Sequence, residues 1–166
     1  MLIICTRDNS IRNYPNSANT WGTVVTMNAT NGPQAATQEL QTLIGQLGPN
    51  EPLCLSAHGN DEAIGDAQSG GNNWGWSVND IAGILRNSAP AGYSGPILVH
   101  ACMEKVENFT ARLALALEGQ NVLNGVWIYG TNRDMDCSEG YPRPTKLDDN
   151  ASLQSTRVGS QSTRGS

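Results

Sequence analysis

The sequence carries little charge, and most of that charge is negative. Lys, Arg, Asp and Glu make up 15 % of the 166 residues, and the ten basic side chains are outnumbered by fifteen acidic ones. Proteins that bind nucleic acid or an anionic membrane by releasing counterions present a basic stripe, which this sequence lacks. It also lacks any apolar run of membrane-spanning length. We therefore expect neither nucleic acid nor a membrane among its partners.

Cysteine is scarce and shows no pairing pattern. The four cysteines, at positions 5, 54, 102 and 137, form no CxxC pair and no zinc-ligand spacing, so we predict free thiols and no metal. The opening residues "MLIICTRDNS" have neither the basic leader nor the long apolar stretch of a secretory signal. These features favour a reducing, cytoplasmic location, or export without a cleaved signal peptide. No GxGxxG or GxxxxGKS/T loop is present, and we expect no cofactor.

What the sequence does contain is an alternation of strand-like and helix-like segments. Apolar residues recur at three- and four-residue spacings over 33–47 and 77–88, the latter with Ser77 as N-cap, and a third helix is predicted from Asn108 or Thr110 to Gly119. The strands are short apolar runs at residues 2–6, 23–27, 52–57, 96–101 and 126–130. This order predicts an α/β fold, a three-layer α/β/α sandwich with a mostly parallel sheet and helices on both faces.

Two segments depart from this alternation. Residues 60–76 are rich in Gly and Asn and predict a loop or a small flap hairpin. Residues 148–166 are polar and contain the near-repeat "QSTRVGS" and "QSTRGS", a composition that cannot offset the entropy of ordering. We therefore predict an α/β domain over residues 1–147 and a flexible polar tail over 148–166. The tail could equally be a linker to another part of a larger parent protein.

Two residues able to do chemistry stand at strand ends. His58 closes the run "LCLSAH", and Cys102 closes "ILVHAC". In open α/β sheets, ligands bind at the carboxyl ends of parallel strands, so neighbouring strands would bring both residues to one crevice. A histidine within hydrogen-bond reach can convert a thiol into a nucleophilic thiolate. Gly59 has no side chain, so its backbone N–H, with that of Cys102, could stabilise an oxyanion.

At these two motifs the sequence resembles the caspase-like (clan CD) cysteine peptidases. The matching stretches are "LCLSAHGN" at 53–60 and "PILVHACME" at 96–104, with 44 positions (102 minus 58) between His58 and Cys102. The layout over roughly residues 1 to 135 is similar to bacterial toxin self-processing domains and bacterial caspase-like domains. The resemblance implies a cysteine endopeptidase that hydrolyses a peptide or protein substrate, with His58 and Cys102 catalytic. Met103 and Glu104, which follow the cysteine, depart from the family pattern.

The remaining site predictions concern substrate. Acidic side chains near the two motifs would favour a basic residue before the scissile bond, although Arg133 argues the other way. "STR" at 155–157 and at 162–164 then offers candidate self-cleavage sites. His100 shares a strand face with Cys102 and is predicted to be a core histidine or to line the pocket. The residues assigned to substrate binding are Asp61, Trp76, His100, Asp134 and Asp136.

Two alternatives come from other classes of protein. The first is a catalytically inactive caspase-like interaction module that has kept the scaffold, in which Cys102 packs as a small apolar residue. The second is a flavodoxin-like binder of a small ligand, which strand–helix alternation alone permits. The absence of a phosphate-binding glycine loop argues against the second.

Overall fold

A computed structural model describes residues 1–13, 15–68, 70–103, 105–136 and 139–159, with the backbone alone at Cys102 and Met103. The strands are β1 Leu2–Ile4, β2 Val24–Thr26, β3 Leu53–Gly59, β4 Ala63–Gly65, β5 Gly75–Ser77, β6 Ile97–Met103, β7 Trp127–Thr131 and β8 Leu153–Arg157. They form one sheet with the order β2-β1-β3-β6-β7-β8, and the hairpin β4–β5 is attached to β3. Along this order each neighbouring pair from β2 to β7 is parallel, and β8 is antiparallel to β7. This confirms the predicted α/β class with a mostly parallel sheet.

Four helices accompany the sheet: α1 Asn9–Arg12, α2 Pro33–Ile44, α3 Val78–Ser88 and α4 Glu107–Gly119. Ser77 caps α3 as predicted, in a reciprocal capping box with Asp80. The start of α4 was predicted at Asn108 or Thr110, but the helix begins at Glu107 without a side-chain cap. The buried Val106 fixes that start instead, because its N–H bonds to the end of β7. No helix in the described part of the chain is long and apolar enough to cross a membrane.

The two faces of the sheet are covered unequally. Helices α2, α3 and α4 pack side by side on one face, where apolar residues of alternate strand positions, such as Ile3, Leu55 and Val99, meet them in the larger core. We call this the helical face. The other face is covered by the single turn of α1, a 3-10 turn at residues 18–21, and coil around residues 141–147. We call this the coil face. Helices therefore lie on both faces, but the long ones share one.

Residues 60–76 contain the small hairpin that the sequence allowed. Its two strands, β4 and β5, extend from the end of β3. Gly65 has φ +142°, and a side chain there would lie 2.4 Å from the carbonyl oxygen of Trp74, so only glycine fits. Trp74 and Trp76 are buried, and their indole N–H groups donate to Asn31 O and Thr37 Oγ1. These contacts fix the hairpin to the helical face.

The structure corrects the predicted flexible tail over part of its length. Residues 153–157 form β8, which pairs with β7 from Leu153 opposite Thr131 to Arg157 opposite Trp127. The following Val158 is buried. Strand pairing satisfies backbone groups without apolar side chains, so a polar composition does not exclude an edge strand. Residues 160–166 of the predicted tail lie outside the described residues.

Candidate active site

The two sequence motifs lie side by side at the carboxyl edge of the sheet. Strands β3 and β6 are parallel and in register over seven residue pairs, from Leu53 opposite Ile97 to Gly59 opposite Met103. His58 stands directly opposite Cys102, so their Cα atoms belong to strands roughly 4.8 Å apart. His58 is largely buried, with 12 % of its side chain exposed. The backbone therefore places His58 and Cys102 next to each other on adjacent strands, as predicted.

Asp8 is the site residue that sequence reasoning missed. Its Oδ2 is hydrogen-bonded to His58 Nε2, and its Oδ1 accepts the N–H of Ser10 at 2.8 Å. Burial alone would raise the pKa of Asp8, but hydrogen bonds from Ser10 and His58 outweigh burial and hold the pKa below its ordinary value. Asp8 is therefore an ionised carboxylate with a hydrogen bond at each oxygen. The bond from Ser10 also makes Asp8 the N-cap of α1.

The position of Asp8 decides which nitrogen of His58 carries the proton. An ionised carboxylate can only accept, so Nε2 is the protonated nitrogen and Nδ1 of the neutral ring is left as a base. In the sheet, β3 lies between β1 and β6. Asp8 follows β1 on one side of His58, and Cys102 belongs to β6 on the other. The arrangement suits a histidine that is oriented from one side and takes up a proton on the other.

A signal for Asp8 was present in the sequence. The same rule that selects His58 and Cys102, that chemistry gathers where parallel strands end, applies to the segment "CTRDNS" after β1. Asp followed by Asn and Ser is also typical of a helix N-cap. What the sequence could not give is the contact itself, because Asp8 and His58 are 50 positions apart in the chain.

Gly59 has a packing reason to be glycine. A Cβ at this position would lie 3.0 Å from Ile64 Cγ2 and from Val106 Cγ1, and 3.1 Å from Ala101 Cβ. These distances are tighter than ordinary van der Waals contact, so β3, β4 and the segment before α4 can approach one another only around a glycine. The contribution of its N–H to an oxyanion hole stays a prediction.

His100 lies in the core beneath the site. It stands opposite Ser56, is 4 % exposed, and its ring is tilted against that of Tyr141 at a centroid distance of 4.8 Å. Tyr141 OH in turn shares a 2.6 Å hydrogen bond with Ser56 Oγ. Neither ring nitrogen of His100 has a hydrogen-bond partner within the described ranges. Desolvation lowers its pKa to about 4, so it is neutral at physiological pH. This burial fits a core histidine rather than one lining a substrate pocket.

The other predicted substrate residues lie in three different surroundings. Trp76 points into the helical-face core, where it is 3 % exposed. Asp61 is turned towards α4, where its carboxylate accepts from Asn108 and its backbone oxygen accepts from Arg112. Asp134 and Asp136 are exposed in the segment that follows β7. These contacts give the expected acidic wall no support, and the preference for a basic substrate residue stays an untested prediction.

The first candidate self-cleavage site lies away from the active-site edge. Arg157 ends β8 opposite Trp127, the first residue of β7. Because β7 is parallel to β6, that position is at the amino edge of the sheet, whereas His58 and Cys102 are at the carboxyl edge. Cleavage after Arg157 by the same folded chain would require β8 to detach. The second candidate, residues 162–164, lies outside the described residues.

Fold and geometry together define a mostly parallel α/β protein, compatible with a caspase-like fold, that carries an Asp–His pair at the carboxyl edge of its sheet. No group of three or more His, Cys, Asp or Glu side chains in the part of the chain that the structure describes is arranged to hold a metal ion. No protein-family model matches the chain, and no curated protein matches it either.

Proposed function

We propose that this protein is a cysteine endopeptidase of the caspase-like (clan CD) type, which hydrolyses peptide bonds in a peptide or protein substrate. In this proposal Cys102 is the nucleophile, His58 is the general base and acid, and Asp8 positions His58. The observation that carries it is the register of β3 and β6, which sets Cys102 opposite a histidine whose Nε2 is held by Asp8. A histidine that only packs in a core has no need of an ionised partner.

The reaction would proceed by acyl transfer. His58 Nδ1 takes the thiol proton of Cys102, and the thiolate attacks the peptide carbonyl carbon to form a C–S bond. The N–H groups of Gly59 and Cys102 donate to the oxyanion. His58 then gives its proton to the leaving amine as the C–N bond breaks. In the second half, His58 removes a proton from water, which attacks the thioester and releases the acid and the free thiol.

Asp8 contributes through the charge of His58. Each time His58 takes up a proton it becomes an imidazolium, and the neighbouring carboxylate stabilises that positive charge. The same hydrogen bond keeps the ring from rotating away from β6. Because Asp8 is itself held by the N–H of Ser10, the carboxylate is pre-organised, and little reorganisation is needed during the reaction.

A thiol-directed peptidyl probe tests the proposal. Incubation with peptidyl acyloxymethyl ketones, followed by intact mass and peptide mapping, should place one adduct on Cys102 and none on the Cys102→Ala variant. Cys5 and Cys54 are internal controls, because both are buried and burial raises the pKa of each thiol. No adduct at Cys102, or equal labelling of all cysteines, would contradict the proposal and favour a catalytically inactive interaction module.

A further inference from the structure

A cleft of about 370 Å³ opens directly beside the Asp8–His58 pair. Asp8 forms part of its wall, so an occupant of the cleft lies next to the residue that holds His58. The rest of the wall comes from the segments after β1 and β2 and from the β4–β5 hairpin. It is lined by Arg7, Asp8, Ala29, Asp66, Ala67, Gln68 and Asn73.

The one buried carboxylate in this wall is already fully engaged. Asp66 accepts hydrogen bonds from Thr6 Oγ1 at 3.1 Å, from the backbone N–H of Arg7 at 2.8 Å, from Arg7 Nε at 2.9 Å and from the N–H of Trp74 at 2.8 Å. Burial alone would raise its pKa, but the N–H bonds from Arg7 and Trp74 and the charge of Arg7 hold the pKa below its ordinary value. Asp66 is therefore ionised, neutralised by Arg7, and has no oxygen left for a ligand.

The groups that remain free in the cleft are mainly hydrogen-bond donors. Arg7 Nη2 donates to Asn73 Oδ1 at 2.9 Å, which leaves the amide NH₂ of Asn73 without a partner among the described residues. Arg7 Nη1 and the exposed side-chain amide of Gln68 are likewise free there. The wall thus presents two kinds of N–H donor and one amide that can both donate and accept.

We propose that this cleft is a substrate subsite that takes a neutral carboxamide side chain, Gln or Asn, of a residue flanking the scissile bond. The inference rests on the proposed peptidase function. A carboxamide oxygen can accept from Asn73 and Arg7, while its NH₂ can donate to Gln68. A Lys or Arg side chain would meet Asp8 and Asp66 only where their oxygens already accept hydrogen bonds, so it would lose hydration without gaining a carboxylate partner of its own. An Asp or Glu side chain would be repelled, because Asp8 and Asp66 carry two negative charges against the single positive charge of Arg7.

A matched set of probes and variants tests the specificity. The probes are acyloxymethyl ketones of one peptide scaffold that carry Gln, Asn, Glu, Lys, Arg or Leu next to the warhead, with the rate of Cys102 labelling as the readout. A companion library of internally quenched peptides varies the residue on the other side of the cleaved bond. We expect Gln or Asn to be preferred over Glu, Lys and Leu by roughly tenfold at one of the two positions, the value of one well-made hydrogen bond.

Two substitutions at Asn73 sharpen the test. Asn73→Asp keeps the acceptor for Arg7 but replaces the free donor with a free carboxylate oxygen, so the preference should move from carboxamide to Lys or Arg. Asn73→Ala removes the donor without adding charge, so the carboxamide preference should fall and no basic preference should appear. Asn79→Asp makes the same change at an exposed position of α3 and should leave the preference unaltered. Thermal unfolding of each variant shows that it is folded.

The outcomes separate this inference from the function on which it rests. Labelling of Cys102 at similar rates by all six probes together with no carboxamide preference in the peptide library, or an unchanged preference in Asn73→Asp, would overturn the subsite while leaving the peptidase proposal intact. Failure of every probe and every library peptide to react would overturn both. A carboxamide preference that follows the Asn73 variants and ignores Asn79→Asp supports the subsite.

Discussion

The helical face and the coil face of one sheet are built by different means. On the helical face, three long helices cover an apolar core in which side chains such as Leu55, Val99 and Phe109 are fully buried. On the coil face, a single helical turn and irregular chain cover the same strands, and the buried residues there include Ser56, His100 and Tyr141. Alternate residues of the same two strands therefore serve packing on one side and polar contacts on the other.

This contrast shows on which face of the sheet polar side chains can be placed without disrupting the apolar core. A regular helix buries its apolar stripe and leaves no room for polar groups against the sheet, so a nucleophile and its base are difficult to accommodate there. Irregular chain can supply a polar group at any position, as the segment after β1 does with Asp8. The coil face thus supplies Asp8, which holds His58. The packed core of the helical face stabilises the sheet that carries His58.

Replacing His58 should give the largest loss of activity. Under the proposed mechanism, His58→Ala removes the group that ionises the thiol and the acid that protonates the leaving amine, so Cys102 labelling and peptide hydrolysis should fall by roughly 10³-fold. Asn79→Ala, which alters an exposed side chain of α3, should retain activity. The rates come from probe labelling followed by mass spectrometry. If His58→Ala labels as fast as the unaltered chain, the coil face has no catalytic role.

A substitution on the helical face should act on stability and not on chemistry. Phe109 of α4 is completely buried, and Phe109→Ala should lower the free energy of unfolding by about 3–5 kcal/mol through lost burial and a residual cavity. Below its unfolding transition the variant should still label Cys102 at close to the normal rate. Urea denaturation measures the first quantity and the probe measures the second. Labelling lost in a folded Phe109→Ala protein would show that the two faces are not separable.

The same division explains how much the sequence could predict. The periodic spacing of Ala36, Leu40 and Ile44 predicts α2, and the polar Ser77 before an apolar stripe predicts α3, because helices on one face obey a local rule. His58 and Cys102 were likewise found at strand ends. These predictions need only neighbouring residues and the rule that parallel strands share an edge.

The features that escaped prediction all depend on pairs distant in the chain. Asp66 is neutralised by Arg7, 59 positions away, and no local pattern in the sequence indicates this contact. β8 forms only because β7 offers it an edge, and the polar composition of residues 153–157 gives no local sign of this. A charge can be counted in a sequence, whereas its partner is set by tertiary structure.

Lowering the pH should reduce the free energy of unfolding of the protein, because His100 is buried in its neutral form on the coil face. Its pKa is about 4 in the folded chain, against an ordinary value of 6.5, because burial disfavours the charged ring. Between these values the unfolded chain binds a proton that the folded chain does not, so stability is fully present above pH 6.5 and falls as the pH drops towards 4, by about 3 kcal/mol.

The measurement compares pH profiles rather than single values. Free energies of unfolding from urea titrations at pH 7, 5.5 and 4 should fall more steeply for the unaltered chain than for His100→Phe, which keeps a ring against Tyr141 but cannot take up a proton. Groups such as Glu139, whose charge also acts on His100, contribute to both proteins and largely cancel in the difference. Parallel profiles would mean that His100 is solvated in the folded state.

The subtlest change, Asp8→Asn, separates the two roles of Asp8. Asn is as good an N-cap as Asp, so the hydrogen bond from Ser10 and the start of α1 should survive, and the free energy of unfolding should change by less than about 1 kcal/mol. The amide cannot stabilise an imidazolium, and its NH₂ can donate to Nε2 and so move the proton of the neutral ring to Nδ1, the wrong tautomer for a base.

We therefore expect labelling of Cys102 to slow by on the order of 10²-fold in Asp8→Asn, while the free energy of unfolding stays nearly unchanged. A purely structural Asp8 would leave the labelling rate in place. An unchanged rate would mean that His58 works with Cys102 alone, and that the carboxylate serves only to cap α1. The coil face would then contribute a scaffold to the chemistry and not a charge.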